Sequence, residues 1–295
     1  MRAVVLRETG GPEVLRIEDV PDPTPRTGEV LVRITAAGVN HYDLNQRAGG
    51  AKDFPRILGA DGAGVRDDTG QRVAVTNAGS TYAELVAVPE ERVFPIPDEL
   101  DDASAAALGV PYRVARSFVL AAGVDRGDVV LVQAGSSGTG MASIEVSRAL
   151  GAHVYATAGD DKLDRIRALG ADPLRYGDPR ILELEATAVF DPVGADTFAQ
   201  SISALATGGT LATPGALGSS QVTLDLWALV GKRLRVVGIG SAAVPLDESM
   251  RWLIDLAARG ELRPIIDREL PLGQAAAAHQ AIEARETFGK VVLRP

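Results

Sequence analysis

Between Val129 and Asp161 the chain reads VVLVQAGSSGTGMASIEVSRALGAHVYATAGDD, an order of residue types that few folds accommodate. An apolar strand, Val129–Val132, runs straight into a turn of small residues, Gly135, Ser136, Ser137, Gly138, Thr139 and Gly140. A helix follows with Met141, Ile144, Val146 and Leu150 towards the sheet, and it stops at Gly151. The β-branched run His153–Thr157 then returns as a second, parallel strand. This is a βαβ unit with a glycine-rich crossover, the arrangement in which backbone N–H groups and the positive end of a helix meet a dinucleotide pyrophosphate. In this reading Gly135 permits the tight turn, Ser136 and Ser137 leave room for phosphate, and Gly140 lets helix and strand pack closely. A strict G-x-G-x-x-G would carry glycine at Ser137, so the strand–turn–helix–strand context carries the argument more than the motif does.

The same alternation extends in both directions. Residues 1 to about 110 are β-rich, with short runs such as Val30–Ile34, Arg72–Thr76 and Tyr82–Val88 between Pro, Gly and Asp turns. From there to about 244, strands alternate with amphipathic helices. Leu163, Ile166 and Leu169 mark one helix, and Phe198, Ile202 and Leu205 another, ended by Gly208-Gly209. The strands between them are Ala188–Phe190, Thr210–Thr213 and Leu234–Ile239. Such alternation predicts a doubly wound parallel sheet. A tail helix over Leu246–Arg259, a second helix about Ala275–Ala278 and a final strand at Lys290–Leu293 complete the chain.

Charge narrows the partners. With 39 acidic and 30 basic residues the net charge is −9, which argues against nucleic acid or an anionic membrane surface. There is no cysteine, hence no disulfide and no thiolate ligand, which fits a reducing compartment. No leader-like segment precedes the first strand pattern and no stretch is long and apolar enough to span a bilayer, so a cytoplasmic protein is expected.

Nearly end to end, the chain resembles the zinc-independent quinone oxidoreductase branch of the medium-chain dehydrogenase/reductase superfamily. The strings that carry the resemblance are MRAVVLRETGGPEVLRIEDV, GEVLVRITAAGVNHYDLNQRAG, FPRILGADGAGV, the nucleotide unit, AVFDPVGADTFAQSISALATGGTLATPGAL and FGKVVLRP, in that order. The resemblance implies an α/β protein with a GroES-like β-rich catalytic domain and a Rossmann doubly wound parallel-sheet nucleotide-binding domain. The first would span residues 1–110, completed by 245–295, and the second 111–244. One departure is plain: a longer excursion usual after the GADGAGV segment is reduced here to Arg66–Gln71, which would open the substrate cleft.

Zinc-bearing relatives supply a cysteine at the position of Asn40, a histidine at that of Ala60, and a later cysteine. This chain has none of these, and its histidines, His41, His153 and His279, are far apart in sequence. A catalytic zinc needs three protein ligands and a structural one four, so no metal is expected. Nor does any tyrosine have lysine at the fourth following position, the other zinc-free proton-transfer pair. What remains is hydride transfer to an acceptor already electron-poor, a quinone or an α,β-unsaturated carbonyl. Asn40 is the candidate polar contact to the nicotinamide ribose or substrate carbonyl, or else the cap of a turn. Asp43 reads as a cap for a helical turn over Leu44–Arg47. Tyr42 and Tyr112 either supply a proton or line the cleft, and His41 is expected to face away from Asn40 as a strand neighbour.

Cofactor choice turns on the end of the second strand, where NAD-specific folds place an acid. Ala158 and Gly159 are small and neutral there, Lys162 follows, and Tyr176 occupies a position at which the family often has a phosphate-contacting tyrosine. These favour NADPH over NADH. Asp160 and Asp161 bring opposing charge, or cap the helix Lys162–Leu169. The resemblance also puts Gly215, Ala216 and Leu217, then Gly238, and Gly289 with Lys290, at the nicotinamide end. Three functions stay open: an NADPH-dependent quinone or enone reductase, an enoyl-type reductase of a biosynthetic intermediate, and a non-catalytic NADPH-binding redox sensor. A small-molecule electrophile is the expected substrate. A homodimer paired through Leu234–Ile239 is the expected assembly, to be broken by proline at Val237.

Overall fold

The computed structural model describes residues 1–295. In chain order the first strands are β1 (Arg2–Leu6), β2 (Leu15–Asp19) and β3 (Glu29–Gly38), followed by helix α1 (His41–Asn45). Then come β4 (Arg56–Ile57), β5 (Asp61–Arg66), β6 (Arg72–Val75), β7 (Leu85–Pro89), β8 (Val93–Pro95), α2 (Asp102–Ala107) and α3 (Val110–Ala122). The alternating part comprises β9 (Val129–Val132), α4 (Gly138–Ala149), β10 (His153–Ala158), α5 (Leu163–Ala168), β11 (Asp172–Arg175), β12 (Ala186–Phe190), α6 (Ala195–Ser203), β13 (Leu205–Thr213), α7 (Leu226–Lys232) and β14 (Arg235–Gly238). The tail is α8 (Leu246–Ala258), β15 (Ile266–Pro271), α9 (Ala275–Glu283) and β16 (Lys290–Arg294).

Two compact units result. One joins Met1–Pro111 to Leu246–Pro295; the other is Tyr112–Pro245. In the first, β15-β16-β3-β5-β6-β8 form one sheet with β7 also paired to β3, and β2-β1-β4 form a second. The tail strand β16 lies antiparallel to β3, Val292 opposite Gly38, which closes the unit from its far end of sequence. Apolar residues alternating inwards along these strands, among them Val32, Ile34, Val73, Val75, Val86, Val88, Val291 and Leu293, make its core. The reduced excursion is a closed turn: Gly70, at φ 71°, donates to Arg66 O at 2.9 Å, and Arg66 pairs with Asp68 and Glu90.

The second unit is a six-stranded sheet in the order β11-β10-β9-β12-β13-β14, every neighbour parallel. The chain moves outwards from β9 in one direction and then from β12 in the other, the doubly wound topology. Its middle strands are apolar on both faces, with Val130, Leu131 and Val132 on β9 and Val189 and Phe190 on β12 fully buried.

Several local expectations change. Leu205 begins β13 rather than ending α6, because it pairs with Ala186 of β12. His41 is the first residue of α1 and not a strand neighbour of Asn40. At the sheet edge, Ile239 N–H donates to Thr213 O at 2.9 Å. Strand alternation therefore turns the N–H of Val237 inwards to β13 and that of Val236 out to the open edge. A proline at Val237 would break the protein's own ladder, so the position that tests the edge is Val236.

Candidate functional site

The nucleotide unit is built by backbone and small side chains. Ser137 is the N-cap of α4, its Oγ accepting Gly140 N–H at 3.0 Å. The left-handed residue of the turn is Ala134 at φ 53°, not Gly135. Gly135 is required for space: a Cβ there would stand 2.9 Å from that of Ala156. At Gly140 a Cβ would strike the Ala134 carbonyl oxygen, while Gly138 opens onto free space. Small residues thus leave a cradle at the start of a twelve-residue helix, into which the phosphates of a dinucleotide fit.

A buried polar chain fixes this turn from below. Thr157 Oγ accepts from Ala134 N–H at 3.1 Å and donates to Gln133 Oε1 at 2.6 Å. Gln133 Nε2 donates to Ser201 Oγ at 3.1 Å, and Ser201 to Asp191 Oδ2 at 2.7 Å. Asp191 also accepts from the Thr197 hydroxyl and from the N–H groups of Val193 and Gly194. Neither Gln133 nor Asp191 stood out in the sequence, although a lone polar residue at the end of an apolar strand is the signal that marks them.

At the end of β10, Ala158 is buried and Gly159 half-buried. Asp160–Lys162 form a tight turn in which neither aspartate caps α5. Gly159 and Lys162 hold the flanking positions, and Asp160 Oδ1 instead pairs with Arg175 Nε at 2.9 Å. Tyr176 is exposed, the first residue after β11, and is followed by Gly177, which has φ 76°. Gly215 is at φ 137° in the turn after β13, with Leu217 half exposed, and Gly238 ends β14 opposite Thr213. Tyr112 lies in α3, buried, donating to Glu145; burial and that carboxylate push its hydroxyl well above the usual tyrosine range.

The first unit holds a separate buried polar cluster. Asn40, 6% exposed, is the N-cap of α1, and its backbone N–H donates to Asp43 Oδ2 at 2.9 Å. Asp43 is therefore the third residue of that helix, bonding back to its start, rather than the cap of a later turn. Asn40 Nδ2 donates to Asp61 Oδ2 at 2.9 Å, and Asn40 Oδ1 accepts from Lys290 Nζ. Gly38 makes room for that lysine, since a Cβ there would sit 2.8 Å from Lys290 Cε. Asp61 also accepts from Thr76 Oγ at 2.8 Å and from Val110 N–H at 2.8 Å, at the start of α3. Gly289, at φ 117°, brings the chain into β16 against Ile265. Tyr42 is half exposed on α1.

Burial sets the electrostatics here. It pushes the Asp43 carboxyl up to about 7, with Asp61 adding to the rise and the N–H groups of Asn40 and Gly59 opposing it. It lowers Lys290 against the pull of Asp61 and Asp43. Beneath them, the Tyr82 hydroxyl bonds to Asp43 and meets His279 Nε2 at 3.1 Å. Buried Arg47 donates from Nε to His279 Nδ1 at 3.3 Å, which leaves the imidazole proton on Nε2. Burial, then Arg47, hold His279 down at about 3, so it is neutral. The sequence offered little trace of this set, in which His279 lies 232 residues from Arg47 and 197 from Tyr82. No group of three or more His, Cys, Asp or Glu side chains is disposed to hold a metal ion.

Comparisons agree with this architecture. Residues 26–98 match the alcohol dehydrogenase GroES-like domain model and residues 169–293 the zinc-binding dehydrogenase model. A quinone oxidoreductase of Pseudomonas aeruginosa is 31% identical, over 97% of each chain. An acryloyl-coenzyme A reductase of Sulfurisphaera tokodaii is 26% identical, over the whole of both. Among solved structures, an NAD-dependent alcohol dehydrogenase superposes with a TM-score of 0.93 at 34% identity, covering 100% of both chains. A mycobacterial protein complexed with NADPH superposes with a TM-score of 0.91 at 31% identity, again covering 100% of both. No helix is long and apolar enough to cross a membrane. Fold, nucleotide cradle and full-length similarity together make the chain a nicotinamide-dependent oxidoreductase of the medium-chain dehydrogenase/reductase superfamily, in its quinone oxidoreductase branch.

Proposed function

We propose that the protein is a zinc-independent, NADPH-dependent reductase that passes hydride to a quinone or an α,β-unsaturated carbonyl. The observation that carries this reading is the fate of Asn40. It stands where zinc-bearing relatives have a thiolate ligand, and its carboxamide is held between Lys290 and Asp61. The next family ligand position is Ala60, and the chain has no cysteine. Without a Lewis acid to lower an alcohol's pKa, substrates already activated for reduction are favoured.

The bound cofactor supplies the hydride; the chain's own residues bind, orient and protect. N–H groups at the start of α4 hold the pyrophosphate. Lys162 and Tyr176 are the contacts read for the 2′-phosphate. Gly215, Ala216, Leu217, Gly238, Gly289 and Lys290 are read as lining the nicotinamide half. Asn40 Nδ2 is engaged by Asp61 and weakly by Gly38 O, so its free capacity is a lone pair on Oδ1. It therefore suits a ribose hydroxyl donor better than a substrate carbonyl. Tyr112 is committed to Glu145, which leaves Tyr42 as the tyrosine proton source. Closed two-fold pairing of β14 with its copy would make a homodimer, and exposed Leu226, Trp227 and Val230 on α7 favour a covered surface in this unit.

The acryloyl-coenzyme A reductase relative supports an enoyl thioester as the second reading. NADPH oxidation measured against quinones, short enones and enoyl thioesters separates the two. Elemental analysis is expected to find no stoichiometric zinc, and chelators to leave turnover intact. One zinc per chain would overturn the metal-free mechanism. Tight NADPH binding with no turnover on any acceptor would leave a redox sensor.

A further inference from the structure

Arg175 is the last residue of β11 and stands in register with Ala158, the last residue of β10. The neighbouring strand thus delivers a guanidinium beside the position where an NAD-specific fold keeps its acid. That guanidinium is not idle: its Nε meets Asp160 Oδ1 at 2.9 Å, with the two side chains 67% and 69% exposed. Asp160 opens the tight turn whose closing bond runs from Lys162 N–H to Gly159 O at 2.9 Å. A carboxylate of the chain itself therefore occupies the cation at the adenosine end of the cradle.

We propose that Arg175 binds the 2′-phosphate of the cofactor, and that Asp160 holds its guanidinium until the phosphate displaces it. The inference rests on the NADPH reading and names the residues that set the choice. An exposed carboxylate–guanidinium pair is weak in water and easily exchanged. A phosphate carries close to two charges and offers Arg two parallel bonds, so it is the stronger partner. Asp160 works against the phosphate twice, by competing for Arg175 and by remaining close as a like charge. With NADH the same carboxylate is an acceptor for the ribose 2′-hydroxyl. One residue pair thus pulls the preference in opposite directions.

Calorimetric titration of the full chain with NADPH, NADH and 2′,5′-ADP tests this. Arg175→Ala is expected to weaken NADPH and 2′,5′-ADP by roughly ten- to a hundredfold with NADH unchanged. Asp160→Asn is expected to tighten NADPH and 2′,5′-ADP at least about threefold and to weaken NADH, since a like charge near a phosphate is removed. Arg175→Ala in which all three ligands change equally, or not at all, would overturn the proposal, as would Asp160→Asn without effect on 2′,5′-ADP. A wild-type preference for NADH would defeat the NADPH reading separately. The 2′,5′-ADP arm, which contains no nicotinamide, would still decide the role of Arg175.

Discussion

Lys290 donates its Nζ to Oδ1 of Asn40, tying the first residue of the last strand to the N-cap of the first helix, 250 residues away in sequence. The lysine also feels the charge of two buried carboxylates, Asp61 and Asp43. Removing one member of a buried charged set leaves the others uncompensated. Lys290→Met is therefore expected to reduce unfolding free energy by roughly 3 kcal/mol in urea titration, the range for breaking a buried pair. A loss below about 1 kcal/mol would mean that the ammonium is not holding the cluster together.

Asp43 gives the cluster a pH signature. Its folded-state carboxyl lies at about 7 against an ordinary 3.8, so the native protein keeps a proton that the unfolded chain has released. Stability from this group is complete below about pH 4 and is lost as pH rises through 7, with a slope approaching 1.4 kcal/mol per unit between them. Asp43→Asn is expected to lack that slope. Urea midpoints for the two proteins at pH 5 and pH 7 give the comparison, and parallel changes would contradict the raised carboxyl.

Gly140 has no space for a side chain, because the obstacle is the Ala134 carbonyl, part of the same rigid turn. Gly140→Ala is expected to lower stability by about 1–3 kcal/mol through overpacking. NADPH affinity should fall at least about tenfold as the N–H groups move out of line. Gly138→Ala, which meets only open space within the protein, serves as the stability control and should keep the wild-type urea midpoint. Equal losses in the two variants would show that bulk near the phosphates, and not the turn itself, is at fault.

Much of the nucleotide unit was legible because its signals are local. Turn residues, helix stop and apolar strands lie within one βαβ stretch, and the alternation of strands and helices orders the sheet. Asp191, Gln133 and Ser201 were not legible, since their bonds join three strands and a helix through space. The Asp160–Arg175 pair was missed because an aspartate before a helix reads equally well as a cap. Asp43 is not the cap expected of it for a simpler reason: the helix begins at His41, three residues earlier than its pattern suggested, and its cap is Asn40.

The edge strand offers a test of assembly. A homodimer is expected, with light scattering giving twice the 30.8 kDa chain mass. Val236→Pro should return it to the monomer by removing an outward N–H. Trp227→Glu, at a side chain 79% exposed, should weaken the dimer if α7 flanks the contact. A mass near 31 kDa for the unmodified protein would rule the pairing out.

The polar chain under the phosphate turn also constrains inheritance. Thr157, Gln133 and Ser201 each accept from the neighbour on one side and donate to the neighbour on the other. An apolar replacement at any one strands a buried partner on the other side, at about 1–3 kcal/mol. Three positions on two strands and a helix can therefore drift only as a set. A lineage that alters one of them must carry a compensating change at another, or give up the position of its cofactor.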